Sequence, residues 1–196
     1  MKEIFIATKN KHKLEEYQKM LETYKVRSIY DLDDKIEIIE DGNSFKENAI
    51  IKAEYICKNY GIDCISDDSG IEVEAINNEP GIYSARYLGE DSSYEEKMND
   101  IMNRIKDSDN RKCRYVCAIA LARVNKDTIC VEGYCNGLVT NEIVEGKHGF
   151  GYDPMFYSPQ FNMNMNLISE DDKNSISHRR NALDKLMRYL NEENNN

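Results

Sequence analysis

Residues 3–21 read EIFIATKNKHKLEEYQKML, and the class of the fold turns on how that stretch divides. Ile4 and Ile6 alternate as in a short strand, whereas Leu14, Tyr17 and Leu21 recur at i, i+3 and i+7, the spacing of one helix face. A strand therefore runs straight into a helix. Asn10 is placed to cap that helix, which puts Lys11, His12 and Lys13 in its first turn. Unpaired N–H groups already carry about half a positive charge there, and each unanswered cation costs roughly 0.3–1 kcal/mol. The pattern asks for an anion.

Outward from this stretch the same interleaving continues. Ser44-Phe45-Lys46-Glu47 has the form of a capping box, and the helix it opens carries Phe45, Ala49, Ala53, Ile56 and Tyr60 on one stripe before Gly61. DCISDDSGIEVEA (63–75) reads as strand, acidic turn, strand, and 94–105 as a helix. Three extended runs are expected across 114–144, with YVCAIALA (115–122) continuous enough for a buried central strand and Gly133 and Gly137 marking turns or bulges. Leu183, Leu186, Met187 and Leu190 give a last helix, after which NEENNN (191–196) has nothing to bury and is expected to be a disordered polar tail. The alternation predicts an α/β fold, a mixed sheet flanked by helices, as one domain over 1–190. It does not fix the strand order.

Composition narrows the function classes. The 196-residue chain, 40% hydrophobic and 32% charged, is that of a globular protein able to bury a substantial core. No apolar run approaches a membrane span and no apolar segment follows Met1 and Lys2, so a cytoplasmic protein without a membrane partner is expected. The six cysteines lack Cys-x-x-Cys spacing and neighbouring histidines, which reads as reduced core residues rather than a zinc site. A net charge of −10 argues against a nucleic-acid surface, since that binding rests on accumulated basic charge. An anionic ligand must be held locally, and the spare carboxylates suit a divalent metal.

The inversion at Lys11–Lys13 recurs in SISHRRNALDKLM (175–187), where Ser177 as cap puts His178, Arg179 and Arg180 in a first turn. Two such helix starts are what a polyphosphate requires: N–H groups, a favourable dipole and basic side chains. On that reading the first-turn cations oppose the dipoles when no ligand is bound, and neutralising Lys13 or Arg179 leaves the ligand-free protein as stable as before or more so. Lys52 falls within about 20° of Phe45 on the apolar stripe of its helix, pointing either into a cleft or snorkelling to solvent. In SDDSG (66–70), Asp67, Asp68 and Ser69 are either an Mg²⁺ arrangement or a self-satisfied turn. Glu40 and Asp41 in IEDG (39–42) add carboxylates. GKHGFGYDPMF (146–156) offers Gly146, Gly149 and Gly151 for close backbone approach, with aromatics able to stack on a base or on one another.

Taken in order, ATKNKHK, ENAIIKA, SDDSGIEVEA, PGIYSARYLGE, GFGYDPMF and ISHRRNAL resemble the inosine triphosphate pyrophosphatase family across residues 7–183. The resemblance implies an elongated mixed sheet in two lobes with a central nucleotide cleft, a homodimer, Mg²⁺ as cofactor, and hydrolysis of ITP, dITP and XTP to the monophosphate and pyrophosphate. It gives Thr8, Lys9, Asn10, Lys11, His12 and Lys13 the triphosphate, with Lys52 and Lys173 as further substrate contacts. Asp68 is implied as metal ligand and proton acceptor for the attacking water, and Ser69 as a substrate contact. Phe150, Gly151, Tyr152 and Asp153 resemble the base-stacking loop, and His178 with Arg179 the group that meets the 6-oxo edge. The second metal-binding acid aligns with Ile39, Glu40 or Asp41, and we assign Glu40. NMNMNLISEDDK (162–173) departs from the family's usual Ala-Glu-Leu pattern before Lys173. The rival readings are a pyrophosphatase for modified pyrimidine triphosphates, of the septum-formation inhibitor kind, and a nucleotide-binding regulator without turnover. Asp67 and Asp68 argue against the regulator.

Overall fold

The computed structural model describes residues 2–31, 33 and 35–194. In chain order its principal elements are β1 (Lys2–Ile6), α1 (Lys11–Met20), β2 (Tyr24–Ser28), α2 (Phe45–Tyr60), β3 (Cys64–Val73), β4 (Glu79–Pro80) and α3 (Tyr94–Arg104). They continue as β5 (Lys112–Arg123), β6 (Lys126–Val139), β7 (Phe156–Ser158), β8 (Met163–Asn164), α4 (Glu170–Ile176) and α5 (His178–Asn194). The strands form one mixed sheet in the order β2-β1-β3-β5-β6-β7-β8, with β4 on β3. β1 runs parallel to β2 and β3, whereas β6, β7 and β8 pair antiparallel. The α/β class predicted from the strand-to-helix alternation is the fold observed.

The chain divides into two compact units, the first comprising 1–68, 117–133 and 179–196, the second 69–116 and 134–178. β3, β5 and β6 each pass from one unit to the other. In the first unit Ile6, Tyr17, Ile65, Ile119, Leu183 and Leu186 form one core cluster, and Ala7, Ile29, Ile56 and Cys64 another. The second unit buries Ile71, Met98, Ile101, Tyr115, Tyr152 and Phe156 together.

Several local expectations change. Residues 63–75 are not strand, turn, strand: β3 runs unbroken through Asp67, Asp68 and Ser69. The turn residues are overridden by pairing, because the strand lies between β1 and β5 and each aspartate finds a partner on its own face. Gly133 and Gly137 lie inside β6 rather than at turns. A Cβ on Gly137 would stand 2.3 Å from the Phe156 ring, so the glycine permits close packing. The third extended run before residue 144 is a loop, though Thr140 and Val144 still donate their N–H groups to Met155 and Pro154 carbonyls. At α2, Ser44 accepts from the Glu47 N–H, but the Glu47 carboxylate takes the N–H of Asn43 instead of closing the box. The tail is corrected as well, since α5 continues to Asn194 and Glu193 pairs with Arg123 and Lys126. Residues 195 and 196 lie outside the described residues. All six cysteines are free, four of them buried and Cys57 and Cys130 half-buried.

Candidate active site

Two side-chain clusters assemble most of the residues singled out in the sequence, one in each unit. The first is organised by the period-2 alternation of β3, which sends Asp67 to one face of the sheet and Asp68 to the other.

On the Asp67 face, α1 begins as the sequence predicts. Asn10 caps it, its Oδ1 accepting the Lys13 N–H at 3.3 Å, and no acid occupies the first turn. Thr8 is buried, its Oγ1 accepting the Asn10 N–H at 3.1 Å and its carbonyl the Ser28 hydroxyl at 2.8 Å. The Lys9 ammonium sits 4.6 Å from the Tyr30 ring centroid, while Lys11 and His12 face solvent. Lys13 turns inward, its Nζ 2.9 Å from Asp67 Oδ2. The same oxygen accepts from Arg179 of α5 at 3.1 Å, and Arg179 also binds Glu16 of α1. Asp67 and Arg179 are each 1% exposed. Burial works against the ionised form of Asp67, but Lys13 and Arg179, with Lys52 behind them, outweigh it and hold its carboxyl well below the usual range. Burial likewise opposes the charge on Arg179, and Glu16 and Asp67 more than restore it.

The anion that the two inverted helix starts ask for is therefore already in the protein. This overturns the expectation that neutralising Arg179 leaves the ligand-free fold unharmed. Neutralising this fully buried arginine takes the ion-pair partner from Glu16 and leaves Asp67 with Lys13 alone, and breaking such a buried pair costs about 3–5 kcal/mol. The side chains of His178 and Arg179 have different neighbours. Successive helix residues point about 100° apart, and here the Arg179 side chain joins the Asp67 cluster while the His178 ring stacks on Tyr115 of the second unit, centroids 5.0 Å apart.

On the Asp68 face, α2 presents Asn48 and Lys52, one turn apart and both buried. Asn48 Nδ2 donates to Asp68 Oδ2 at 3.0 Å, and Lys52 Nζ to Glu40 Oε2 at 2.7 Å. Lys52 thus points into the protein rather than snorkelling. Burial disfavours its charge, yet Asp68, Glu40 and Asp67 together raise its pKa. Asp68 is shifted opposite to its neighbour: burial raises its pKa and Glu40 adds to this, against the pull of Lys52, Asn48 and Lys13. Among the described residues no group of three or more His, Cys, Asp or Glu side chains could hold a metal alone. Two carboxylates answering one ammonium nevertheless fit Mg²⁺, which takes one or two carboxylates and fills its shell with waters and substrate phosphates.

The second cluster surrounds Asp153, which is 2% exposed. Its Oδ2 accepts the Phe150 N–H at 2.8 Å and the Lys173 ammonium at 2.5 Å, and its Oδ1 the Tyr115 hydroxyl at 2.9 Å. Lys173 lies 4.8 Å from the centroid of the exposed Phe150 ring. Gly149 has φ +85°, and a Cβ there would come within 2.6 Å of Asp153 Oδ2, so glycine is required for the loop to wrap the carboxylate. Gly151 lies in the same left-handed region, at φ +67°. Tyr152, by contrast, is core: its hydroxyl donates to the Ser84 carbonyl at 2.8 Å and its ring meets Tyr94 edge-on. Ser69 lies half-buried in β3. Sequence reasoning missed Glu16, Asn48 and Tyr115. Asn48 was within reach, being four residues before Lys52 on one helix face; Glu16 reads as an ordinary surface acid, and Tyr115 as one more apolar residue of a central strand.

An α/β protein with buried cation–carboxylate pairs at two helix starts and a lysine-carboxylate-aromatic cluster beside them in sequence is of the nucleotide-processing type. The Ham1 family model matches residues 4–189, and the chain belongs to the Ham1 family. A dITP/XTP pyrophosphatase of Staphylococcus aureus is 40% identical over the full length of both chains, and one of Halalkalibacterium halodurans is 40% identical over 97% of this chain and all of its own. Among solved structures, the Ham1 protein of Staphylococcus aureus superposes with a TM-score of 0.90 at 38% identity, over 98% of this chain and all of that one. Among the described residues no helix is long and apolar enough to cross a membrane.

Proposed function

We propose that this protein hydrolyses non-standard purine nucleoside triphosphates, ITP, dITP and XTP, to the monophosphate and pyrophosphate, clearing them from the nucleotide pool. The observation that carries the reading is the pair of oppositely conditioned aspartates on β3, beside basic residues of α1 and α2. Cleaving a phosphoanhydride demands charge neutralisation and an aligned water more than covalent chemistry. Lys13 and Lys52, with the α1 N-terminus from Thr8 to His12, hold the phosphates. Asp68 takes the proton of the attacking water: its raised pKa makes it the more basic acid, whereas Asp67 is committed to two cations. Asp68 and Glu40 would hold Mg²⁺, which when bound neutralises phosphate charge and lowers the pKa of water. Lys52 shifts from Glu40 toward the phosphates as that charge arrives.

The Asp153 cluster serves the base. Phe150 offers its ring for stacking, and Asp153 holds Lys173 and the Phe150 amide in one orientation. His178, flat on Tyr115, presents its ring edge as donor to the 6-oxo group, with Ser69 a further substrate contact. Adenine carries a donor at that position, so it faces the site's donors with a buried group unpaired. Homodimerisation, which the resemblance implies, and a cytoplasmic setting belong to the same proposal.

A nucleotide panel with Mg²⁺ tests it. Pyrophosphate release from ITP, dITP and XTP should exceed that from ATP by roughly 10²-fold or more in kcat/KM. Comparable values for ATP and ITP overturn the purine-edge assignment. Preferential turnover of modified pyrimidine triphosphates favours the rival enzyme, and nucleotide binding without turnover favours a regulator.

A further inference from the structure

Asp67 has no task in the scheme above, yet it is the most elaborately partnered acid among the described residues of the first unit. Its Oδ2 receives Lys13 from α1 at 2.9 Å and Arg179 from α5 through Nη2 at 3.1 Å and Nε at 3.4 Å, with the Cys117 thiol at 3.7 Å. Its Oδ1 is sealed from solvent and has no hydrogen-bond partner. A buried carboxylate kept only for stability is expected to satisfy both oxygens; this one spends everything on one side. Arg179 is in turn fixed by Glu16 on the helix that carries Lys13. Exposure is graded along the chain of contacts: the Asp67 and Arg179 side chains are at 0% and 2%, and those of Glu16 and Lys13 at 14% and 16%. Lys13 is the cation of this network that an arriving anion can reach.

We infer that Asp67 is a positioning residue of the phosphate site: clamped by Arg179 and Glu16, it aims the Lys13 ammonium, and Arg179 serves the phosphate end through Asp67 rather than the base. This deepens the proposed function and rests on it for the identity of the anion. A lysine ammonium on a four-carbon stem has many rotamers, and a carboxylate fixed at 2.9 Å selects among them before any ligand binds. The affinity Lys13 provides is then not reduced by the entropy of ordering it. Once a polyphosphate is bound, Lys13 bridges it to Asp67, and Arg179 holds the acid in place against the repulsion of the ligand's charge.

A double-mutant cycle on the full chain tests this, using inorganic tripolyphosphate as the probe and titration calorimetry as the readout, with KM and kcat for ITP measured in parallel. Lys13→Gln and Asp67→Asn should each weaken tripolyphosphate binding about tenfold or more, and the double variant should bind little worse than either. In ITP hydrolysis, Asp67→Asn should raise KM more than it lowers kcat. Should Asp67→Asn fail to fold, Glu16→Gln replaces it: it should weaken binding a few-fold when Lys13 is present and not at all in the Lys13→Gln background. Effects that multiply independently, or an Asp67→Asn protein that binds tripolyphosphate as tightly as the parent, overturn the inference. A parent protein that binds tripolyphosphate with the expected coupling but does not hydrolyse ITP leaves the inference standing and defeats the activity.

Discussion

Asp67 and Asp68 are adjacent in one strand and have opposite fates. Asp67 faces α1 and α5, where two cations hold it ionised well below the ordinary carboxylate range. Asp68 faces α2, where burial raises its pKa and its near partners are the neutral amide of Asn48 and a lysine shared with Glu40. The difference lies in the two faces, not in the residues. A strand that alternates sides anchors one carboxylate between cations and leaves the next with a raised pKa, and environments that push two acids apart in this way are what a division of roles between them requires.

The comparison breaks most visibly at Arg179. Replacing Arg179 by Gln should destabilise the ligand-free protein by about 3–5 kcal/mol, because Asp67 and Glu16 lose their buried counter-ion; urea unfolding without nucleotide measures it. Unchanged stability would mean that the Asp67 face is not a charge clamp. The pH dependence sharpens the contrast further. A depressed pKa contributes stability that is present above the unfolded value near 3.9 and lost as pH falls through the folded one. Asp67→Asn should therefore be less stable than the parent at neutral pH, with the gap closing in acid. For Asp68 the sign reverses: a raised pKa means stability held below about 3.9 and lost as pH rises through the folded value. Asp68→Asn should match the parent in acid and exceed its stability above that window, as unfolding midpoints across the pH range will show. The smallest effect concerns Lys52. Burial raises the Asp68 pKa and Lys52 is the leading influence against it, so Lys52→Gln should move the acid limb of the kcat profile to higher pH. A limb that stays in place would detach Asp68 from the titration.

Much of this was legible in the sequence, though not evenly. The first strand and helix, the Ser44 cap, the helix from Phe45 to Gly61 and the buried run 115–122 follow from periodicity and capping chemistry, which are local. The cations of both first turns were visible as anomalies for the same reason. What answers them was not, because Asp67 reaches Lys13 and Arg179 across 54 and 112 positions of chain, and only the assembled sheet brings them together. SDDSG reads locally as a turn, and pairing in the sheet overrides that reading. The end of α5 was lost for a related reason: NEEN has no apolar face, and its helix is secured by Glu193 meeting Arg123 from β5. In the second unit, glycines and aromatics marked the 146–156 loop, but not that Tyr152 would be core while Tyr115, 38 positions before Asp153 in sequence, would hold that acid.

The division of roles on β3 is tested most directly by the rate at saturating ITP and Mg²⁺ for the Asp67→Asn and Asp68→Asn proteins side by side. Losing the proton acceptor should lower kcat by roughly 10²–10⁴-fold in Asp68→Asn, while Asp67→Asn, impaired mainly in binding, should recover to within about tenfold of the parent once saturated, a 1.4 kcal/mol difference. The reverse ranking, with Asp67→Asn inert at saturation and Asp68→Asn active, would contradict the account and transfer the chemistry to the other face of the strand.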